Sequence, residues 1–372
     1  MTDSHQDAPV PIELKPTSEP LPAEERAAQL ASPGFGRVFT EHMVMLRWTA
    51  GRGWHDAQLR PYGAIELDPA TMALHYGQII FEGLKAYRQA DGGIAAFRPY
   101  ENARRFQRSA RRLAMPELPE QLFVSALETL VRQDRDWVPS EPGHSLYLRP
   151  YMFATEIGLG VNNPSSEYLC IVIASPAASY FPRGVKPVSV WLSEDYTRAA
   201  PGGTGEVKCA GNYAAGFLAQ AQAVENGCDQ IVWLDAAERR WVEEMGGMNL
   251  FFVYGEGAGA RLVTPSLTGT LLPGVTRDSL LTLGPELGFP AGEGRITVDE
   301  WRQANLDGSI SEVFACGTAA VITPVGSVRG ATQSWTIGDG EPGVVTTRLR
   351  EALLDIQYGT GADPHSWRHR LC

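Results

Sequence analysis

The sequence has few lysines, few cysteines and no long apolar run. Its five cysteines stand far apart, at positions 170, 209, 228, 316 and 372. An odd number without paired spacing indicates neither a disulfide framework nor a zinc site, so we expect no metal. No apolar stretch approaches the ~18 residues of a membrane span, and the polar start at Met1 to Gln6 is unlike a signal peptide. These absences predict a cytoplasmic protein that does not enter a membrane.

Positive charge is also in deficit. The chain carries 43 acidic and 32 basic residues, for a formal net charge of −11. A chain this acidic is a poor candidate for holding nucleic acid or an anionic membrane by overall charge. Its 372 residues are enough for a large buried core and, on size alone, for two domains.

The order of helix-like and strand-like segments indicates an α/β (α+β) fold. Strands and helices mix without regular βαβ alternation, so we expect mixed sheets. Residues 1–34 hold six prolines and are predicted as an extended N-terminal tail with one helical turn at 23–30. Proline clustering marks residues 176–187 as an interdomain loop between a smaller domain, 35–175, and a larger one, 188–372. Among the single elements we predict strands at 64–67, 145–154, 188–193 and 248–254, a helix over 298–306 and one continuous helix over 212–227.

Scarcity of lysine draws attention to Lys208, since the chain has only three others, Lys15, Lys85 and Lys186. An arginine stays protonated and cannot act as an amine nucleophile, whereas a lysine can. Lys208 follows a Gly-rich stretch that begins at Pro201, and it precedes a predicted helix. A P-loop is excluded, because Val207 and Cys209 occupy the flanking Gly and Ser/Thr positions. Two interpretations stay open: a surface lysine on a loop, or an amine at a site that a cofactor can approach.

The Lys208 segment resembles the lysine segment of the branched-chain amino acid aminotransferases, which are fold-type-IV pyridoxal phosphate enzymes. The resemblance extends from Phe35 to Tyr358 through segments that occur in the same order. They are His75-Tyr76-Gly77 with Phe81-Glu82-Gly83-Leu84-Lys85-Ala86, Phe97-Arg98-Pro99, Ser145-Leu146-Tyr147-Leu148-Arg149-Pro150, Lys208-Cys209-Ala210-Gly211-Asn212-Tyr213, Glu244-Met245-Gly246-Gly247-Met248-Asn249, Leu272-Pro273-Gly274-Val275-Thr276-Arg277 and Gly317-Thr318-Ala319. The resemblance implies the fold-type-IV architecture of two mixed α/β domains, with the cofactor lysine in the larger one.

The resemblance also implies the cofactor, pyridoxal 5′-phosphate, and its ligands. Lys208 matches the catalytic Schiff-base lysine, and a carboxylate is needed to keep the pyridine nitrogen protonated. Strand alternation leaves Glu243 and Glu244 as alternatives, and the resemblance selects Glu244. Within an arginine-rich segment that is predicted as a helix, 102–113, the resemblance selects Arg105 for the phosphate, with Arg104 as the neighbouring rival. The other cofactor-binding residues that it implies are Tyr213, Gly246, Val275, Thr276, Gly317 and Thr318.

A substrate-binding face is predicted around Arg149. The two-residue period of a strand places Tyr147, Arg149 and Tyr151 on one face, where an arginine between tyrosines suits a carboxylate. An edge strand with a solvated arginine is the alternative. The resemblance implies a pocket that accepts both a branched aliphatic side chain and the side-chain carboxylate of glutamate. The substrate residues that it implies are Phe35, Tyr76, Tyr147, Arg149, Val161, Gly247 and Ala319.

By this resemblance the chain transfers the amino group of L-leucine, L-isoleucine or L-valine to 2-oxoglutarate, giving branched 2-oxo acids and L-glutamate by a ping-pong mechanism. A homodimer is expected. Ala320 and Thr323 occupy positions where mammalian members carry a Cys-x-x-Cys, so no thiol regulation of that kind is expected. A D-amino-acid transaminase or an aminodeoxychorismate lyase of the same fold type is the alternative. A nucleotide-binding oxidoreductase is disfavoured, because Gly255-Glu256-Gly257-Ala258-Gly259 lacks the dinucleotide spacing and precedes a strand.

Overall fold

A computed structural model describes residues 10–178 and 185–372, so parts of the predicted tail (1–9) and loop (179–184) lie outside the described residues. The chain divides into two compact units. Unit 1 joins the chain up to Tyr180 with Lys208–Ala210 and Ile356–Cys372, and unit 2 comprises Phe181–Val207 and Gly211–Asp355. The last seventeen residues and the lysine segment therefore belong to unit 1, whereas the boundaries predicted from the prolines placed both in the larger domain.

The described elements of the first half of the chain are a mixture of strands and helices. They are β1 (Glu13–Leu14), α1 (Ala23–Ala31), β2 (His42–Thr49), β3 (Gly53–Pro61), α2 (Met72–Tyr76), β4 (Ile79–Phe81), β5 (Leu84–Arg88), β6 (Ile94–Phe97), α3 (Pro99–Arg112), α4 (Glu120–Gln133), β7 (Ser145–Ala154) and β8 (Glu167–Ala177).

The second half continues with a similar mixture. Its elements are β9 (Val188–Ser193), α5 (Ala210–Ala214), α6 (Phe217–Glu225), β10 (Gln230–Leu234), β11 (Val242–Met245), β12 (Met248–Tyr254), β13 (Arg261–Pro265), α7 (Val275–Glu286), β14 (Ala291–Gly294), α8 (Val298–Leu306), β15 (Ile310–Gly317), β16 (Val321–Arg329), β17 (Ser334–Thr336), α9 (Val344–Tyr358) and β18 (Arg368–Arg370).

Unit 1 is built on one sheet with the strand order β1-β3-β2-β8-β7-β5-β6-β18, and β4 pairs with β7. Strands β7 and β8 are antiparallel over their length, and the even positions Leu146, Leu148 and Met152 are fully buried. Helix α3 begins with Pro99 in its first turn, where the missing N–H costs no hydrogen bond. Its apolar stripe of Ala103, Phe106 and Ala110 is buried, as the helical period predicts.

Unit 2 is built on a second sheet with the order β11-β10-β9-β16-β15-β12-β13-β14, and β17 pairs with β16. An additional pairing of β11 with β12 closes six of these strands (β9, β10, β11, β12, β15 and β16) into a ring. Apolar side chains such as Val232, Phe252 and Trp301 fill one core cluster of this unit. Helix α8 begins with a capping box in which Thr297 and Glu300 satisfy each other's backbone N–H groups.

Two of the predicted elements were wrong. Residues 64–67 form no strand. The structure instead has strand β3 at Gly53–Pro61, which the sequence pattern does not predict because its residues are mostly polar and only Ala57 and Leu59 are buried. The predicted helix over 212–227 is two helices, α5 and α6, that break before Gly216. A Cβ at Gly216 would lie 3.3 Å from the Trp233 ring, so the absence of a side chain at Gly216 lets the backbone pack closely against this indole. Within the described part of the chain, no helix is long and apolar enough to cross a membrane.

Candidate active site

Lys208 is half-buried in unit 1, and both of its backbone polar groups are held there. Its N–H donates to Ser109 Oγ at 3.0 Å, and its carbonyl accepts from the N–H of Phe81 at 3.0 Å. A bridge between Ile80 and Cys209 continues this pairing. The Lys208 Nζ lies 4.7 Å from the centre of the Phe81 ring. The lysine is therefore held in a packed part of unit 1, which favours the interpretation as an amine at a site that a cofactor can approach.

Arg105 is buried, with 4% of its surface exposed, and it forms an ion pair with Glu82. Arg105 Nε donates to Glu82 Oε1 at 2.7 Å and Nη2 donates to Oε2 at 2.9 Å. Burial favours the neutral carboxyl, but the Arg105 guanidinium, with smaller contributions from Lys208 and Asn102, holds the pKa of Glu82 below its usual value of 4.5. Glu82 is therefore an anion and Arg105 a cation in the same buried place.

Arg104, the rival of Arg105, lies on the surface. Almost half of its side chain is exposed, and it pairs with Glu101 at 2.6 Å and with Glu120 at 3.2 Å. Such exposed pairs are typical of a solvated helix face. The structure thus separates the two neighbours in the way that a buried anion site on Arg105 requires.

Arg149 and Tyr147 lie together in unit 1, as the strand period predicted. Arg149 Nη2 donates to the Tyr147 hydroxyl at 3.1 Å, and the guanidinium carbon lies 4.9 Å from the centre of the Phe81 ring. Within residues 10–178 and 185–372, the buried Nε of Arg149 has no hydrogen-bond partner. Because such a donor is costly to leave unsatisfied, it points to an acceptor supplied by a ligand. The alternative of an edge strand with a solvated arginine is wrong, since β7 lies inside the sheet.

The three other predicted substrate residues of unit 1 are exposed to different degrees. Phe35 packs edge-on against Tyr147 with ring centres 5.0 Å apart. Tyr76 is 43% exposed, and its hydroxyl donates to the Leu159 carbonyl at 2.5 Å. Val161 is 68% exposed. The structure brings Phe35 to Tyr147, and among the described residues neither Tyr76 nor Val161 forms a hydrogen bond or ring contact with Arg149.

In unit 2, the two neighbouring glutamates of β11 have different surroundings. Glu244 is buried, accepts from the N–H of Leu272 and lies 3.7 Å from Arg198 Nη1. Glu243 accepts from the Thr270 hydroxyl at 2.5 Å and lines a cavity of about 220 Å³. Burial raises the pKa of Glu243 above its usual 4.5. The two carboxylates thus have separate partners, as the alternation of a strand predicted.

Several predicted residues of unit 2 gather around the start of β12. Gly246 and Gly247 form the two-residue connection from β11 to β12, and Gly246 has a φ of +56°, which favours glycine. A Cβ at Gly247 would lie 3.4 Å from Tyr213 Cε1, so the tyrosine ring lies against this turn. A Cβ at Gly317 would lie 3.1 Å from Met248 Cγ. Glu244, Tyr213, the glycine turn and Gly317 are thus close to one another within unit 2.

The start of α7 is shaped by Asn249. Its Nδ2 donates to the Leu272 carbonyl at 3.0 Å, and its Oδ1 occupies the place that a Cβ of Gly274 would need. Val275 and Thr276 follow as the first two helical residues and are buried. The first amides of a helix lack intrahelical acceptors and suit an anion. Thr318 and Ala319 lie in the turn between β15 and β16 and are half-buried.

Sequence reasoning missed several residues that support these groups. Glu82, Asn102, Ser109, Arg198, Asn249 and Thr270 are all buried and hydrogen-bonded. For Glu82 a signal existed, because it is a lone carboxylate between the predominantly buried strands Ile79–Phe81 and Leu84–Arg88. For the others the partners come from distant parts of the sequence. Among the described residues, no cluster of His, Cys, Asp and Glu could hold a metal ion.

Comparison with known proteins identifies the class of enzyme. Residues 79–328 match the family Amino-transferase class IV. The chain belongs to this family, and it is an aminotransferase of fold type IV. The predicted fold class and enzyme class are therefore confirmed.

Its relatives narrow the class further. The chain is 63% identical to a probable branched-chain-amino-acid aminotransferase of Streptomyces coelicolor, over 97% of this chain and 98% of that one. It is 59% identical to the branched-chain-amino-acid aminotransferase of Mycolicibacterium smegmatis, over 97% and 99%. The T.th. branched-chain amino acid aminotransferase, solved with pyridoxamine 5′-phosphate, is 30% identical, with a TM-score of 0.72 over 88% of this chain and 98% of that one. The same enzyme has been solved with N-(5′-phosphopyridoxyl)-L-glutamate. The predicted resemblance to branched-chain amino acid aminotransferases is confirmed.

Proposed function

We propose that this aminotransferase uses pyridoxal 5′-phosphate to transfer the amino group of leucine, isoleucine or valine to 2-oxoglutarate. The observation that carries the proposal is the half-buried placement of Lys208 beside Phe81, Ser109 and the Glu82–Arg105 pair. The names of relatives at about 60% identity support the branched-chain donors. The phosphopyridoxyl-glutamate bound to the T.th. enzyme supports both the cofactor and glutamate.

The residues present fit the chemistry of this cofactor. An amine, Lys208, is available for its aldehyde, and a buried carboxylate, Glu244, for its pyridine nitrogen. Tyr213 supplies a hydroxyl for the ring oxygen, and its ring lies against Gly247. For a phosphate dianion, the proposal assigns the buried Arg105 in unit 1. In unit 2 it assigns the first residues of α7, Val275 and Thr276, and the turn at Gly317 and Thr318.

The bound cofactor would supply an electron-withdrawing ring that makes the proton on the amino acid Cα acidic. Lys208 Nζ is the base that removes this proton and the acid that returns it. Phe81 restricts water on one side of Nζ, and the backbone bonds to Ser109 and Phe81 keep the lysine in place. Glu244, buried and fixed by Leu272 N–H, stays available to a cationic ring nitrogen.

Substrate recognition is assigned to the Arg149 and Tyr147 pair. The unsatisfied Arg149 Nε would donate to the side-chain carboxylate of glutamate or 2-oxoglutarate. Phe35, Tyr147 and Phe81 offer apolar rings to a branched aliphatic side chain. Gly247 and Ala319 would offer backbone amides to the α-carboxylate. The rings and the guanidinium of unit 1 can thus serve both the donors and the acceptor of the reaction.

We also propose that the enzyme is a homodimer. Apolar side chains are exposed together on unit 1 over the short segment Ile157, Leu159 and Val161, and Tyr76 is hydrogen-bonded to it. A second copy of the chain would cover this surface and bring Tyr76 and Val161 to a substrate pocket. Sedimentation of the wild type and of a Val161→Asp variant tests this. A monomeric wild type would contradict it.

The decisive experiment is an amino-donor panel with 2-oxoglutarate, run on the wild type, Lys208→Ala and the control Lys186→Ala. We expect activity with leucine, isoleucine and valine, no measurable activity in Lys208→Ala and full activity in Lys186→Ala. Borohydride reduction followed by peptide mapping should label Lys208 and none of the other three lysines. Turnover of D-alanine or aminodeoxychorismate without turnover of L-leucine would contradict the proposal.

A further inference from the structure

Glu82 is the most completely buried charged side chain near Lys208, and its carboxylate is surrounded by donors. It receives hydrogen bonds from Arg105 Nε and Nη2, from Asn102 Nδ2 at 2.8 Å and from the Gly83 N–H at 3.1 Å. A buried carboxylate is expensive to maintain, and an apolar replacement of such a pair is often neutral for stability. The retention of a charge here therefore calls for a use beyond holding the fold.

The geometry of the pair fixes the guanidinium of Arg105. Two contacts, one to each carboxylate oxygen, determine both the plane and the direction of the guanidinium, which a single contact would not do. Asn102, one turn earlier on α3, holds the carboxylate from the same helix. Glu82 itself is fixed because its N–H donates to the Pro150 carbonyl at 2.7 Å. The arginine thus has one orientation before any ligand arrives.

The same group of residues also holds the backbone of Lys208. Ser109 Oγ donates to the Arg105 carbonyl at 3.0 Å and accepts from the Lys208 N–H. Phe81, the residue before Glu82, donates its N–H to the Lys208 carbonyl. The guanidinium and the lysine are therefore positioned by adjacent residues of the Phe81-Glu82 segment and by successive turns of α3. Substitution of Glu82 would therefore first change the orientation of the Arg105 guanidinium, which is hydrogen-bonded directly to its carboxylate.

We propose that Glu82 is a positioning residue that orients the Arg105 guanidinium for the phosphate group of the cofactor. This inference rests on the proposed use of pyridoxal 5′-phosphate. Glu82 does not touch the phosphate; it acts through Arg105, and its contribution is confined to ligands that carry the phosphate. Pyridoxal has the same ring and aldehyde without the phosphate, so its binding affinity should not depend on Glu82.

The test compares binding of pyridoxal 5′-phosphate and of pyridoxal to the full-length apoprotein, by spectroscopic titration, for the wild type and Glu82→Gln. The matched control is Asp134→Asn, which alters another buried carboxylate of unit 1, one that is paired with His42 at 2.5 Å. We expect Glu82→Gln to weaken phosphate-ligand binding about tenfold or more, the worth of one misplaced charge-assisted hydrogen bond. Pyridoxal binding should change less than about twofold, as should both ligands in Asp134→Asn.

A mutant cycle with Arg105→Met separates positioning from a general loss of packing. If Glu82 acts through Arg105, Glu82→Gln added to Arg105→Met causes no further loss of phosphate-ligand affinity. Glu82→Gln alone leaves the buried charge of Arg105 without its partner and could prevent folding. The double variant removes both charges, so its ligand affinity can still be measured and compared with that of Arg105→Met. Equal weakening for both ligands, or additive losses in the cycle, would overturn the inference. A wild type that binds neither ligand would instead overturn the proposed function.

Discussion

Replacing Arg149 by methionine should separate the two halves of the reaction. Methionine keeps an unbranched stem beside Phe81 and Tyr147 but removes the guanidinium, including the buried Nε that has no partner among the described residues. The proposed function uses this group only for the side-chain carboxylate of glutamate and 2-oxoglutarate. Leucine has no such carboxylate, so its half-reaction should not depend on Arg149.

The expected magnitude follows from the contacts. A charge-assisted hydrogen bond contributes about 1.5–3 kcal/mol, which corresponds to a factor of about 10 to 150 in kcat/KM. Arg149→Met should lower kcat/KM for glutamate and 2-oxoglutarate by this factor. For leucine the change should stay within about threefold, because the loss of charge and the gain of apolar surface are both small terms there.

Single-turnover kinetics measure the two half-reactions separately, since each leaves the enzyme in a different form. Arg149→Lys is the matched control: it restores a positive charge without the planar fork, so it should recover only part of the glutamate rate. Thermal unfolding of each variant establishes that it is folded. Equal losses for leucine and glutamate would refute the assignment of Arg149 to the side-chain carboxylate.

Other parts of the structure carry three more predictions. In Gly83→Ala the new Cβ would occupy the place of the Tyr147 hydroxyl, so KM for the amino donors should rise while the control Gly63→Ala, with open space around it, behaves as wild type in steady-state assays. Thr297→Ala removes the cap of α8 and should lower the free energy of unfolding by about 1 kcal/mol in denaturant titrations, whereas the exposed Thr347→Ala should not. Because burial raises the pKa of Glu243, the folded state holds that proton more tightly than the unfolded state, and stability is lost as pH rises from the usual 4.5 through the raised pKa. Glu243→Gln should therefore gain stability relative to wild type as pH rises through this range, and a constant difference in unfolding midpoints across the range would contradict the assignment.

Regular elements with a clear pattern could be predicted from the sequence alone. Strands β7, β9 and β12 and helix α8 begin and end at the residues predicted from the sequence pattern. Strand β3 could not be predicted, because its burial depends on a neighbouring strand and only two of its nine residues are buried hydrophobics. An alternating apolar pattern predicts a strand only when one face of that strand is apolar, and β3 has few apolar residues on either face.

For the candidate site, the sequence indicated the reactive residues but not their supports. Lys208 stood out through its scarcity, and Arg149 through the tyrosine beside it on the same strand face. The choice between Arg104 and Arg105 depends on burial, which the helix period alone did not resolve, and the partner of Arg105 lies 23 residues earlier in the chain. Such pairings become visible only when the chain has folded.

The strand β18 has a consequence for how unit 1 is assembled. It pairs antiparallel with β6, and Leu371 beyond it is buried. A ribosome makes these residues only after the whole of unit 2, so during synthesis β6 is left with an open edge. Until β18 has been synthesised, the sheet of unit 1 is incomplete, and the open edge of β6 can pair with other chains. Changes to residues 368–371 should therefore destabilise unit 1, although most of unit 2 lies before these residues in the sequence.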